Sequence, residues 1–383
     1  MFSGLGGLDL GLGAAGFETV AMIENDPVAR RSLKSNFPQS NLIEPGDVFL
    51  AAESMTPKSL GLTVRDLDLI AGAPPCQPFS KASQWAPNGW KGVADSRSTP
   101  LKGLLGLVET FLPRSVVLEN VPGFVRGRHS MLPFLRDRFT EIGNLNDVRY
   151  TLFVSVLNAA DYGVPQHRER AIMVALRDSD QFQWPKAARR TVTAWDAIGA
   201  LEVGTAPVMT GQWARLLPSI PEGSNYLHHT ERGAGKPLFG YRTRYWSFLL
   251  KLAKDRPSWT LPAQPGPSVG PFHWDNRPLS KVEMLRLQTF PGDWIVEGNR
   301  REQVRQIGNA TPPLLGESVG RSIVRSLGSP VPVRRKFFVP ARTTPPPAAR
   351  VTDVPSEYLS FEGKHPAHAG TGRGPKPRLA NPL

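Results

Sequence analysis

Four apolar, β-rich runs punctuate the first 176 residues, at Glu18–Ile23, Leu67–Ala71, Ser115–Leu118 and Ala171–Leu176. Helix-like stretches at about 26–36, 101–112 and 131–142 separate them. Strands that alternate with helical patterns predict a doubly wound, mostly parallel α/β sheet with helices on both faces. In such a sheet ligands gather beyond the carboxyl ends of the strands. Residues that close an apolar run are therefore the first candidates for chemistry.

The rhythm stops after residue 176. Residues 177–275 are rich in Pro, Gly and Arg and hold six of the nine tryptophans (Trp184, Trp195, Trp213, Trp246, Trp259 and Trp274), which predicts a separate, irregular, basic domain. Helical patterning returns over 276–328, with Ser280 ahead of Lys281–Gln288 and Pro312 ahead of Leu314–Leu327. The segment 329–383 is Pro-rich and basic, and a disordered tail is expected there. Lys plus Arg exceed Asp plus Glu by 46 − 33 = 13. Residues 331–383 carry nine basic and three acidic residues, so +7 stays with the rest. That excess favours a polyanion, nucleic acid before any other.

The single cysteine, Cys76, excludes an intrachain disulfide and a Cys-based zinc cage. It also fits a reducing cytoplasm. The pair His228-His229 has no acid or Cys cluster beside it and reads as a surface turn, so no metal is expected. No run of about 18 apolar residues is present, and no membrane partner is expected.

Phe2-Ser3-Gly4-Leu5-Gly6-Gly7 stands at the head of the first helix, where glycines let a ligand approach the backbone. Glu24 ends the next run, placed to accept hydrogen bonds from ribose hydroxyls, and Gly46-Asp47-Val48 would end a third strand with an acid for an adenine amino group. Gly72-Ala73-Pro74-Pro75-Cys76-Gln77-Pro78-Phe79-Ser80 follows an apolar strand, so Cys76 sits on a proline-stiffened loop at a strand's carboxyl end. The stretch Lys81–Thr99, with Gln84, Trp85 and Trp90, has the make-up of a lid. Glu119-Asn120-Val121 closes another strand and offers a general acid. In Gln166-His167-Arg168-Glu169-Arg170, alternation puts Gln166, Arg168 and Arg170 on one face, where two guanidiniums could meet a base edge, a phosphate or Glu119.

Together these segments resemble the cytosine-5 DNA methyltransferases. Phe2–Gly7 is similar to that family's first motif, Gly72–Ser80 to its Pro-Cys nucleophile motif, Glu119–Val121 to its Glu-Asn-Val motif and Gln166–Arg170 to its Gln-x-Arg-x-Arg motif. Arg277–Ser280 with Arg286–Pro291 resembles the penultimate motif, and Gln306-Ile307-Gly308-Asn309-Ala310 the last. All occur in family order over residues 2–320, with the basic zone where the family keeps its target-recognition domain. The chain departs from the pattern at its start, where only Met1 and Phe2 precede the glycine loop, so translation upstream or a shortened sequence is expected. Thr311 also replaces a usual valine, and Ala73 a frequent glycine.

The resemblance implies a Rossmann-like methyltransferase fold, S-adenosylmethionine as methyl donor, double-stranded DNA as partner and a monomer. It assigns catalysis to Cys76, Glu119, Arg168 and Arg170, with the two arginines holding the base or its flanking phosphate. Cofactor contacts fall to Phe2, Gly4, Gly6, Gly7, Glu24, Asp47, Val48, Pro74 and Asn309. Three rivals differ in class. A nicotinamide or flavin enzyme would leave Pro-Pro-Cys and the Arg-rich strand unused. A transfer-RNA methyltransferase of the family would carry a Cys-Phe-Thr tripeptide, which a chain with one cysteine lacks. A DNA-binding relative without activity would not need Cys76, Glu119 and both arginines.

Overall fold

The computed structural model describes residues 1–75, 99–127, 130–241, 245–333 and 338–363. Cys76 and residues 81–98 of the expected lid lie outside the described residues.

Among the described residues six strands form: β1 Leu69–Gly72, β2 Ser115–Asn120, β3 Tyr150–Asn158, β4 Gln166–His167, β5 Glu169–Arg177 and β6 Ser258–Trp259. Four make one sheet in the order β1-β2-β5-β3, and β4 pairs with β6 in a second. The first pairing is parallel, and β5 runs antiparallel to both β2 and β3. The sheet is thus α/β and mixed. Strands β1 and β2 are joined through a helical crossover, whereas only ten residues, 159–168, join β3 to β5, a connection too short for anything but antiparallel return.

Helices cover both faces. In chain order they are α1 Gly7–Ala15, α2 Pro27–Asn36, α3 Val48–Ser54, α4 Thr99–Phe111, α5 Leu132–Asn146, α6 Ala194–Ile198, α7 Lys281–Leu287, α8 Arg300–Asn309, α9 Pro313–Ser326 and the short α10 Ser356–Leu359. Alternation along the strands sorts the core. Val117, Ile172, Val174 and Leu176 pack with residues of α7, α8 and α9, while Val116, Leu118, Met173 and Ala175 pack with α4 and α5. The start signals read from sequence hold: Ser280 accepts from Glu283 N–H in a capping box, and Asp26 caps α2 ahead of Pro27. None of the described helices is long and apolar enough to cross a membrane.

Three expectations are corrected. The run Glu18–Ile23 forms no regular strand; only Met22 bridges, parallel to Leu42. Between it and β1 the ladder position is held by two residues, with Phe2 N–H donating to Ile23 O (2.8 Å) and the Met1 amino group to Ala71 O (2.7 Å). Beyond them a cavity of about 420 Å³ opens between residues 17–21 and 66–71, and residues 18–21 pair with no strand among the described residues. Asp47 ends no strand either; its carboxylate caps α3, accepting from Phe49 N–H at 2.7 Å.

The third correction concerns the tail, whose residues 338–363 pack against the body. Arg286 lies over the Phe338 ring, Trp195 Nε1 donates to Thr343, and Tyr358 stacks on Trp213 with its hydroxyl bonded to Gln212 O (2.7 Å). Proline content alone suggested disorder. The spaced apolar side chains Phe338, Val354, Tyr358 and Phe361 give the strap enough surface to bury.

Candidate active site

The first component sits where β1 and β2 end. Their parallel register pairs Gly72 with Leu118, so the loop toward Pro75 and the side chain of Glu119 leave the sheet at the same edge. Asn120 locks the two together. Its amide donates to Pro74 O at 3.1 Å, while its own oxygen accepts from Val121 N–H at 2.9 Å. Both residues flanking this contact are buried, so the carbonyl two residues ahead of Cys76 is pinned to the strand that carries Glu119. Asn120 was not singled out in the sequence, although its place in Glu-Asn-Val beside a strand end was the available signal.

Glu119 faces the same side of the sheet as Val117, opposite Ile172 of β5. Arg170 lies two residues before Ile172 on that face, and its Nε approaches Glu119 Oε1 to 2.7 Å. The contact is an ion pair rather than an aligned hydrogen bond, because that oxygen lacks a donor on line. Both side chains are mostly buried, 14% and 8% exposed. A guanidinium with little water around it holds a nearby carboxylate in place far more firmly than a surface pair would.

The other members of Gln-x-Arg-x-Arg do different work. Gln166 is fully buried, accepts from Leu261 N–H (3.2 Å) and reaches Leu287 O at the end of α7 (3.4 Å). Arg168 is 1% exposed, and its Nη2 donates to the carbonyls of Gly308, Asn309 and Ala310 at 3.0, 3.3 and 2.9 Å. Arg168 Nη2 thus ties β4–β5 to backbone carbonyls at the end of α8, where helix carbonyls lack intrahelical donors.

This bond brings the last segment to the first. Asn309 is exposed at the end of α8, and the chain beyond it packs on α1. A Cβ on Gly7 would stand 2.1 Å from Thr311 O, so only glycine permits that approach. Gly6, at φ 81°, caps α1 in the left-handed conformation that glycine adopts without strain.

The glycine loop turns toward Glu24. Gly4 N–H donates to Glu24 Oε2 and Asp26 N–H to Oε1, each at 2.7 Å. One lone pair on each oxygen is thus engaged and the carboxylate is oriented, while a carboxylate offers about four acceptor positions in all. A ribose with two adjacent hydroxyls fits that presentation. Asp47 lies after Gly46, whose Cβ would collide with Glu24 O at 2.2 Å, so the two acids are close neighbours through backbone contact. Phe2 is half-buried against the α4 layer, and Val48 is buried within it at 5% exposure. Val48 therefore offers the site backbone and a wall rather than an exposed side chain. The 420 Å³ cavity is distinct from this cradle: Leu67–Ala71 and residues 16–21 line it, and Glu24 does not.

The chain is similar to known proteins over most of its length. A family model described as C-5 cytosine-specific DNA methylase matches residues 1–325. The chain is 34% identical over 367 residues to the type II methyltransferase M.SacI of Streptomyces achromogenes, covering 86% of this chain and 92% of that protein. It is 33% identical over 351 residues to M.Eco47II of Escherichia coli, covering 85% and 78%. Among solved structures, a DNA modification methyltransferase encoded within an E. coli prophage superposes with a TM-score of 0.60 at 23% identity, covering 86% of this chain and 98% of that one. The last likeness shows the fold.

Proposed function

The chain belongs to the C-5 cytosine-specific DNA methylase family, and from that premise we propose how its own residues methylate carbon 5 of cytosine in DNA. The observation that carries the proposal is the shared sheet edge, where the Pro74 carbonyl is held by Asn120 and Glu119 is held by Arg170.

Carbon 5 of cytosine is too weak a nucleophile to take a methyl group unaided. Addition of the Cys76 thiolate to carbon 6 forms a carbon–sulfur bond and moves electron density to carbon 5. Glu119 supplies a proton at ring nitrogen 3, which neutralises the charge that the addition places there. Arg170 keeps the Glu119 carboxyl aimed at that nitrogen. Carbon 5 then takes the methyl group as the donor's sulfonium–methyl bond breaks and loses its proton to solvent, the bond to the Cys76 sulfur breaks to free the thiolate, and the nitrogen 3 proton returns to Glu119. A stacked base cannot meet a loop thiolate and a strand-end carboxyl together, so the cytosine is flipped out, at a cost of about a few kcal/mol.

The methyl donor is S-adenosylmethionine, whose sulfonium makes the methyl group electrophilic. Glu24 would accept its ribose hydroxyls and Asp47 its adenine amino group. The Gly4–Gly7 backbone would line it, with Phe2, Pro74 and Asn309 closing the sides. Arg168 acts at one remove by holding Asn309 against this region. The target is double-stranded DNA of one short sequence, read by residues 177–275, and the type II names of the relatives favour a place in a restriction-modification system.

The test is expression in a host lacking cytosine-5 methylation, followed by bisulfite sequencing of its DNA. Wild-type protein is expected to protect cytosines in one sequence context. Cys76→Ser is expected to protect none while still binding the same duplex, since serine is a far poorer nucleophile toward carbon 6. Full protection by the serine variant would overturn the covalent mechanism.

A further inference from the structure

The parallel pairing of β4 with β6 sets His167 beside Trp259, with ring centroids 5.7 Å apart. Trp246 meets Trp259 edge-on at 5.4 Å. The three rings touch in series, and the two indoles face water: Trp246 is 51% and Trp259 36% exposed. Tyr245, next in sequence, is exposed as well. Isolated surface aromatics need no explanation, but clustered indoles left in water forgo the stabilisation that burial of a large apolar side chain yields. Such a surface is normally completed by a partner.

Position and charge indicate which partner. His167 lies three residues from Arg170, so at about 3.3 Å per residue the platform begins roughly 10 Å along the chain from the Glu119 pair. Two or three stacked base steps span the same distance. The sequence leading to Trp246 is cationic, with Arg232, Lys236, Arg242 and Arg244 against Glu231, and Arg232 lies over the Tyr241 ring at 3.5 Å. Aromatic faces interleaved with cations suit a nucleotide, whose base stacks while its phosphate is neutralised.

We propose that His167, Trp246 and Trp259 form a stacking platform for a nucleotide of the DNA adjoining the flipped cytosine. This rests on the methylation reading above and assigns to that reaction residues that hold the distorted duplex beside the site. The proposed rings come from β4, β6 and residue 246, whereas the Glu24 cradle is built from Gly4 and Asp26.

The experiment uses full-length protein and a short duplex containing the site that bisulfite sequencing defines. Trp246→Ala and Trp259→Ala should each weaken duplex binding, read by fluorescence anisotropy, by about tenfold. The KM for DNA should rise correspondingly, while affinity for S-adenosylmethionine stays at the wild-type level. Phenylalanine at either position should restore most of the loss. Replacing a base adjoining the target cytosine by an abasic nucleotide should weaken wild-type binding but cost the double alanine variant little more. Duplex affinity within twofold of wild type in both alanine variants, from a wild type that methylates normally, would overturn the platform alone. A wild type that neither binds nor methylates DNA would overturn the methylation reading and the platform with it. Loss of S-adenosylmethionine affinity in parallel with DNA affinity would show a folding defect, and failure of phenylalanine to rescue would then count against stacking.

Discussion

The edge of the large sheet and the basic region after residue 177 handle polar groups in opposite ways. At the sheet edge three side chains of the candidate site extend from regular structure: Glu119 and Asn120 from β2, Arg170 from β5. Each charge has a counter-charge or a carbonyl at hydrogen-bond distance. The basic region has little regular structure among its described residues, a two-residue strand and single helical turns, and is held by an aromatic cluster around Trp213 and by the strap 338–363. Bond-making chemistry needs atoms fixed to a fraction of an ångström, which paired strands supply. Sequence readout needs side chains on loops that can vary without disturbing the core.

If that division holds, the largest loss of activity should come from the strand end. Glu119→Gln keeps the shape of the side chain and removes the proton it would deliver. The expected result is a fall in kcat of about two to four orders of magnitude, with duplex affinity retained, measured by transfer of labelled methyl groups under single-turnover conditions. A rate near wild type would take Glu119 out of the acid role and leave it a partner that positions Arg170.

The sequence made the sheet edge far more legible than the region after 177. Apolar runs, capping residues and strand-end acids are local signals, so α2, α4, α5, α7 and α9 appear close to where the pattern puts them. Strand β3 was overlooked even though Tyr150–Asn158 is dense in β-branched and aromatic residues. Alternation in the sequence sets Arg168 and Arg170 on a common face, but a face does not say what lies above it. Arg168 meets α8, which arrives from about 140 residues away in sequence, and Arg170 meets Glu119. Nor could composition reveal the strap, because Tyr358 and Phe361 find Trp213 only through tertiary packing.

The second expected effect tests whether Arg168 is a tie rather than a DNA contact. Arg168→Met keeps the bulk of the stem but leaves the carbonyls of Gly308, Asn309 and Ala310 without their donor. At about 1–3 kcal/mol for each buried group left unsatisfied, with partial relaxation, stability should fall by about 3–5 kcal/mol in urea denaturation. Affinity for S-adenosylmethionine should weaken because Asn309 is released, while the residual folded protein keeps its affinity for duplex. A variant of wild-type stability with selectively weakened duplex binding would return Arg168 to the DNA.

The smallest expected effect probes the opposite region, where a cation is buried without a carboxylate of its own. Lys251 is 3% exposed and its ammonium donates to Ile220 O, whereas the nearby Glu222 is bonded to Lys254 at 2.6 Å. Burial lowers the Lys251 pKa from 10.5 to about 8, with Glu222 opposing the shift. The unfolded chain therefore binds more protons than the folded one between pH 8 and 10.5, and stability from this group rises with pH across that window. Below pH 8 the full penalty applies; above 10.5 it vanishes. Against Lys251→Met, which cannot titrate, the wild type should gain at most about 3 kcal/mol between pH 7.5 and 10.5, read as the difference of two urea midpoints at each pH. A difference that stays flat would mean that the ammonium is solvated in solution, and that the basic region opens at Ile220 in a way the sheet edge does not.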